Sequence, residues 1–180
     1  MWKGKSNSVS DHRGHFNRLF CSRELKEILP ADHREIVNIN SSFNLLEGTL
    51  RGIHLQTGNA AETKIVFCSS GSIIDVAVDL RPDSPTFLQH ESSLLEGESS
   101  SFMVIPPGCG HAFQSLEPNS LVIYFVTRFY SPTSELSIYP FDKSINISWP
   151  ITDAIISRKD SSAPCALSAK IWLSKHSTYD

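Results

Sequence analysis

The sequence predicts an all-β fold, a sandwich or barrel of short strands with one helix at the front. Three features lead there. Short runs of β-forming residues recur from residue 36 onward, each closed by Gly, Pro, Asn or Ser. One of these runs alternates strictly between two faces. Helical spacing stands out in one place, residues 22–29.

Taken in order, SRELKEIL (22–29) sets Leu25, Ile28 and Leu29 at helical spacing, with Ser22 as the N-cap and Pro30 as the stop. Candidate strands follow at 36–40, 50–56, 64–69, 72–80, 101–105, 121–128 and 135–139. The segments NAAET, SSGS, RPDSPT, EGESS, PPGCG and LEPNS break the pattern. Within 72–80, Ile74, Val76, Val78 and Leu80 share one face, and Asp75, Ala77 and Asp79 share the other. The tail CALSAKIWLSKHSTYD has weak periodicity. It reads as a C-terminal extension, 165–180, behind a core of about 11–164, in one domain spanning 1–180.

Bulk properties narrow the function. Of 180 residues, 40% are hydrophobic and 19% charged, ordinary for a globular chain with a substantial core. A net charge of −3, with no long block of like charges, argues against a basic nucleic-acid surface. The four cysteines form no CxxC, so neither a zinc knuckle nor a disulfide framework is expected, and a reducing cytoplasm is the simpler setting. The start MWKGKSNSVSDHRG has no apolar core of a signal peptide. The longest apolar run, 121–126, is far too short to span a bilayer, so a soluble, cytoplasmic protein without membrane association is expected.

The stretch LRGIHLQTGNAAETKIV (50–66) begins and ends like a strand, yet it includes Arg51, His54, Gln56 and Lys64. His54 lies within that strand. His111 ends IPPGCGH, where Pro106, Gly108 and His111 form a PxGxxH pattern able to aim an imidazole into a barrel mouth. Together these features resemble the cupin fold, a double-stranded β-helix or jelly roll, here with a few short helices. Many cupins hold a metal through HxH, a downstream Glu and a later His. This sequence has His54-Leu55-Gln56, and Glu62 is the nearest carboxylate, so no metal is expected and organic acid–base chemistry is.

An ordered set of motifs makes the resemblance specific. DHRGHF (11–16), INSSFN (39–44), LRGIHLQ (50–56), KIV (64–66) and DVAVDLRPDSPTF (75–87) are followed by IPPGCGHAF (105–113), YFVTRFYSP (124–132), ISWP (147–150) and SRKD (157–160). This set is similar to the dTDP-4-dehydrorhamnose 3,5-epimerase family, from about residue 11 to 164. The resemblance implies a nucleotide-diphosphate sugar substrate with a 4-keto group that acidifies C3 and C5, a homodimer and no cofactor. It implies His54 as the base, Asp160 as the carboxylate orienting it, Tyr124 as the acid on the far face and Lys64 at the enolate oxygen. Arg13 and Arg51 match substrate-binding positions, as do Asn40 and His111. Tyr130 is a candidate to stack on the base, and Gln56 and Lys159 are further binding candidates. Asp75 and Asp79 are read as structural.

Arg51 has the wrong parity to share a pocket with His54 on a regular strand, so an irregularity is expected near Gly52. The sequence departs from the family pattern in three places: the short start before Asp11, Leu55 after the histidine, and Cys109-Gly110 in the PxGxxH segment. The last two are expected to alter the pocket. Three alternatives stay open: inversion of only one carbon, a non-catalytic sugar-nucleotide-binding cupin, and a metal-dependent cupin enzyme.

Overall fold

The computed structural model describes residues 1–176. Its strands are β1 (Trp2–Lys5), β2 (Ser8–Asp11), β3 (Gly14–Asn17), β4 (Asn38–Asn44), β5 (Thr49–Gln56), β6 (Lys64–Ser70), β7 (Ser72–Asp79), β8 (His90–Glu96), β9 (Ser101–Ile105), β10 (Cys109–Ser115), β11 (Ser120–Val126), β12 (Glu135–Ser137) and β13 (Ile155–Ile156). The helices are α1 (Ser22–Ile28), α2 (Arg158–Ser161) and α3 (Ala166–His176). The chain is mostly β with a few short helices, as the strand pattern predicted.

Two sheets face each other. The first runs β1-β9-β6-β11-β4. The second runs β12-β5-β10-β7-β8, with β13 adding to β5 in parallel. Between them lie Val66, Cys68, Met103, Ile105 and Val122 from the first sheet and Ile73, Ala77, Leu95, Cys109 and Phe113 from the second. Helix α1 covers the outer face of the first sheet, packing Leu25 and Leu29 onto Ile65, Phe67, Val104 and Phe125. It caps differently from expectation. Cys21 is the N-cap, without a side-chain bond, and the helix ends at Ile28.

The alternation read in 72–80 is present, and the geometry gives it a direction. Val76, Val78 and Leu80 point outward, against Ile138, Ile145, Trp149, Ala166, Ala169 and Leu173 of the C-terminal segments. Asp75 and Asp79 therefore face inward, fully buried. Both have partners, as buried carboxylates require: His111 for Asp75, and Arg81, Ser84 and Thr86 for Asp79. Gln114 clamps the covering segment by exchanging two bonds with the backbone of Ile151.

Several elements lie outside the sequence reading. β1 joins the first sheet ahead of residue 11, and α3 packs onto the second behind residue 164. β8 and β10 fall outside the candidate strands, with only their ends, at Glu96 and Cys109-Gly110, inside expected breaks. β10 follows a Pro-Gly turn with Gly108 at φ +77° and is buried along its whole length, so no alternation marks it. Residues 177–180 of the predicted extension lie outside the described residues.

The irregularity expected at Gly52 is there. His54 pairs with His111 while Arg51 pairs with Phe113, so four residues of β5 span three of β10. This bulge brings Arg51 and His54 to the same side of the sheet. Gly52 has φ +117°, and a Cβ on it would lie 2.5 Å from the His111 carbonyl oxygen and 2.6 Å from Ala112 Cβ. Gly52→Ala should cost about 2 kcal/mol or more in chemical denaturation. A midpoint equal to wild type would show that the two strands are not held this close.

Candidate active site

The bulge, β6, β11 and the tail converge at one end of the barrel. Two adjoining cavities of about 310 and 670 Å³ open there, and His54, Lys64 and Tyr124 line both. Parity explains the convergence. Tyr124 pairs with Val66 and Val126 with Lys64, so Tyr124 and Lys64 share the inner face of the first sheet. His54 faces them from the second sheet.

His54 Nε2 lies 2.6 Å from Asp160 Oδ1. Asp160 is buried on α2, where Ser157 caps the helix by accepting the Asp160 backbone N–H, and the carboxylate also accepts Gly52 N–H at 3.4 Å. A carboxylate only accepts, so Nε2 holds the proton and Nδ1 is left as the basic lone pair, without a hydrogen-bond partner among the described residues. Burial lowers the His54 pKa from its ordinary value, and Asp160 opposes that shift. On the opposite wall, burial pushes the Tyr124 phenol up, against the nearby Arg51 guanidinium and with the help of Glu62, so it stays protonated at neutral pH.

Lys64 Nζ sits 3.1 Å from Glu62 Oε1 and 3.4 Å from the His54 carbonyl oxygen. A second imidazole–carboxylate pair stands beside the first: His111 Nε2 is 2.6 Å from Asp75 Oδ1, and His111 is the cross-strand neighbour of His54. Arg51 lines the larger cavity, held by Asn44 Oδ1 at 2.9 Å. Lys159 also lines it, and donates to Glu135 Oε1 at 2.7 Å. Tyr130 and Asn40 line the smaller cavity, Tyr130 donating to Glu135 Oε2 at 2.9 Å.

Two candidates stand differently. Gln56 lines the smaller cavity, but its amide is already engaged with Ala60 O, Glu62, Phe129 O and Ser131 N. Arg13 lies on the β2–β3 hairpin, exposed and paired with Asp11, away from both cavities of its own chain. Of the expected pocket changes, Leu55 does line the smaller cavity, whereas Cys109 and Gly110 line neither of the two. Leu55 packs its side chain largely into the outer cluster, Cys109 lies between the sheets, and a Cβ at Gly110 would meet Ile53 and Leu80. Glu135 and Arg128 line the smaller cavity and escaped the sequence reading. Glu62, considered there only as a metal carboxylate, is bound to Lys64 and Gln56. Its parity with Lys64 was the available signal. No three His, Cys, Asp or Glu side chains among the described residues group as a metal-ligand set. No described helix is long and apolar enough to cross a membrane.

An imidazole–carboxylate pair facing a protonated phenol in the mouth of a β-barrel defines an acid–base enzyme of the cupin kind. Comparison with known proteins narrows this. The family described as dTDP-4-dehydrorhamnose 3,5-epimerase matches residues 1–167. The dTDP-4-dehydrorhamnose 3,5-epimerase of Salmonella typhimurium is 36% identical over 155 residues, 86% of this chain and 84% of that one. The crystal structure of the dTDP-6-deoxy-D-glucose-3,5-epimerase of Legionella pneumophila, in complex with dTDP-4-keto-L-rhamnose, aligns with a TM-score of 0.90 at 32% identity, covering 99% of this chain and 93% of that one. The dTDP-4-dehydro-6-deoxyglucose 3-epimerase of Streptomyces bikiniensis is 29% identical over 170 residues, 94% of this chain and 86% of that one. The chain belongs to the dTDP-4-dehydrorhamnose 3,5-epimerase family, and it is an isomerase of that family.

The charge balance at His54 can be tested directly. Its ring should titrate below 6.5 by NMR, because burial outweighs the carboxylate. Asp160→Asn should move the midpoint lower still, since it removes the group that favours the imidazolium. A midpoint that rises in this variant would contradict the pairing.

Proposed function

We propose that the protein inverts both C3 and C5 of a dTDP-4-keto-6-deoxyhexose. The observation that supports this reading is the opposition of His54–Asp160 and Tyr124 across one cleft, with the Lys64 ammonium also lining it. The C4 ketone acidifies the protons on its two neighbours. His54 Nδ1 takes one of them, breaking the C–H bond, and the electron pair moves into an enolate whose oxygen faces Lys64. Tyr124 returns a proton to the same carbon from the opposite face, which inverts it, and proton exchange then restores both groups. The oxidation state does not change, so the chemistry requires no redox partner.

Binding follows from the charges around the cleft. Arg51 and Lys159 suit the diphosphate, one as a forked guanidinium and the other as a point charge. Tyr130 offers a face to the thymine ring, and Asn40, Gln56 and His111 complete the sugar wall. Arg13 reaches a diphosphate only in a homodimer, from the partner's hairpin. In keeping with this, Val9 and Phe16 on that hairpin are 69% and 66% exposed. Phe16→Asp should shift the protein from dimer to monomer in sedimentation velocity. A dimer unaffected by the change would remove the hairpin from the interface.

Inversion at C3 alone is the rival, favoured by the likeness to the Streptomyces bikiniensis 3-epimerase across nearly the whole chain. Incubation with dTDP-4-keto-6-deoxyglucose in deuterated water, read by NMR, separates the two. Deuterium at C3 and C5 is expected; deuterium at C3 alone would establish the rival. His54→Asn should slow wash-in by about 10²–10⁴-fold, and Tyr124→Phe should slow inversion more than wash-in. A folded wild type that exchanges neither carbon would overturn the catalytic reading.

A further inference from the structure

Among the described residues, Glu62 is the one buried carboxylate on the cleft wall without a part in the proton transfers described above. It lies 8% exposed, just ahead of β6, and lines the smaller cavity with His54, Lys64 and Tyr124. Its two oxygens are divided. Oε1 faces Lys64 Nζ at 3.1 Å, and Oε2 accepts from Gln56 Nε2. Gln56 is fixed in turn, donating to Ala60 O at 3.1 Å and Phe129 O at 3.2 Å and accepting Ser131 N–H. The backbone next to Glu62 is strapped as well, Thr63 N–H donating to Thr127 Oγ1 at 2.9 Å. A continuous hydrogen-bonded strut thus runs from the loop after β11, through Gln56 of β5, to the ammonium on β6.

We propose that Glu62 is a positioning residue for Lys64, aiming one N–H of the ammonium at the oxygen on which charge develops. This rests on the role assigned to Lys64 above. An ammonium has three N–H groups on a flexible stem. Glu62 takes one and the His54 carbonyl takes a second, which leaves the third for the cavity that His54 and Tyr124 also face. A donor oriented before the reaction stabilises an enolate without reorganising during it. The carboxylate also offsets the positive field of Lys64 and Arg51, so it is no aid to binding a diphosphate. Its benefit should therefore appear in turnover and not in affinity.

Glu62→Gln keeps the side chain's size and leaves an oxygen for Gln56, but removes the charge that holds Lys64. Steady-state kinetics and deuterium wash-in should show kcat reduced about tenfold, with KM unchanged or lower and thermal melting close to wild type. In a Lys64→Met background the same change should cost less than about twofold, because a residue acting through Lys64 has nothing left to aim. If Glu62→Gln fails to fold, Glu62→Asp keeps the charge, draws it back by one methylene, and should also lower kcat at constant KM. An unchanged kcat, a rise in KM alone, or a full loss persisting without Lys64 would each reduce Glu62 to part of the wall. Wild-type exchange is the internal control: its absence overturns the functional reading and this role together, whereas its presence with an unaffected Glu62→Gln overturns this role alone.

Discussion

The 2.6 Å contact between His54 and Asp160 joins residues 106 apart in the chain, and most of the architecture is arranged around making it. His54 sits on β5, in the middle of a sheet whose outer face is apolar. That face must be covered, and the C-terminal segments cover it with Ile138, Ile145, Trp149 and the first turns of α3. On the way, the same segments add β13 alongside β5 and place the short helix α2 at the barrel mouth. The hydrophobic effect thus delivers a carboxylate to an imidazole as a by-product of closing the core. The polar contact alone could not do so, since two groups so distant in sequence gain little from one bond against the loop-closure entropy.

Polar groups inside the barrel follow the same logic. Asp75 and Asp79 would be costly if unpaired; each is matched by a group brought in by β10 or the following turn. Arg81, Ser84, Thr86 and the Arg81 backbone N–H outweigh burial and hold Asp79 well below the usual carboxylate range. The two buried thiols go the other way: Cys68 and Cys109 are pushed up to about 11, mainly by burial, and stay protonated and unreactive.

Much of this was legible because two-residue periodicity is a local signal. Alternation in 72–80, the apolar run at 121–126 and the helical spacing at 22–29 each mark an element that the structure contains. Parity also put Lys64 and Tyr124 on predictable faces. Other elements lack any such signature. β10 is buried on both faces and so does not alternate, and β2–β3 packs almost nothing, leaving its apolar residues exposed. The direction of β7 was hidden for a different reason. Which face of a strand looks inward depends on what covers the other, and here the cover is α3 and its approach, whose own periodicity is weak. The glycine at 52, by contrast, announced a break in register that the pairing of Arg51 and His54 required.

The cleft takes one wall from each sheet: His54 and His111 from one, Lys64 and Tyr124 from the other. Two packed sheets keep a separation set by the side chains between them, about 10 Å. Phe113, Val66, Met103 and Val122 therefore act as the spacer of a caliper whose jaws are the imidazole and the phenol. Residues that never meet a ligand set the jaw opening, and with it the thickness of any ring that can be gripped from both faces at once.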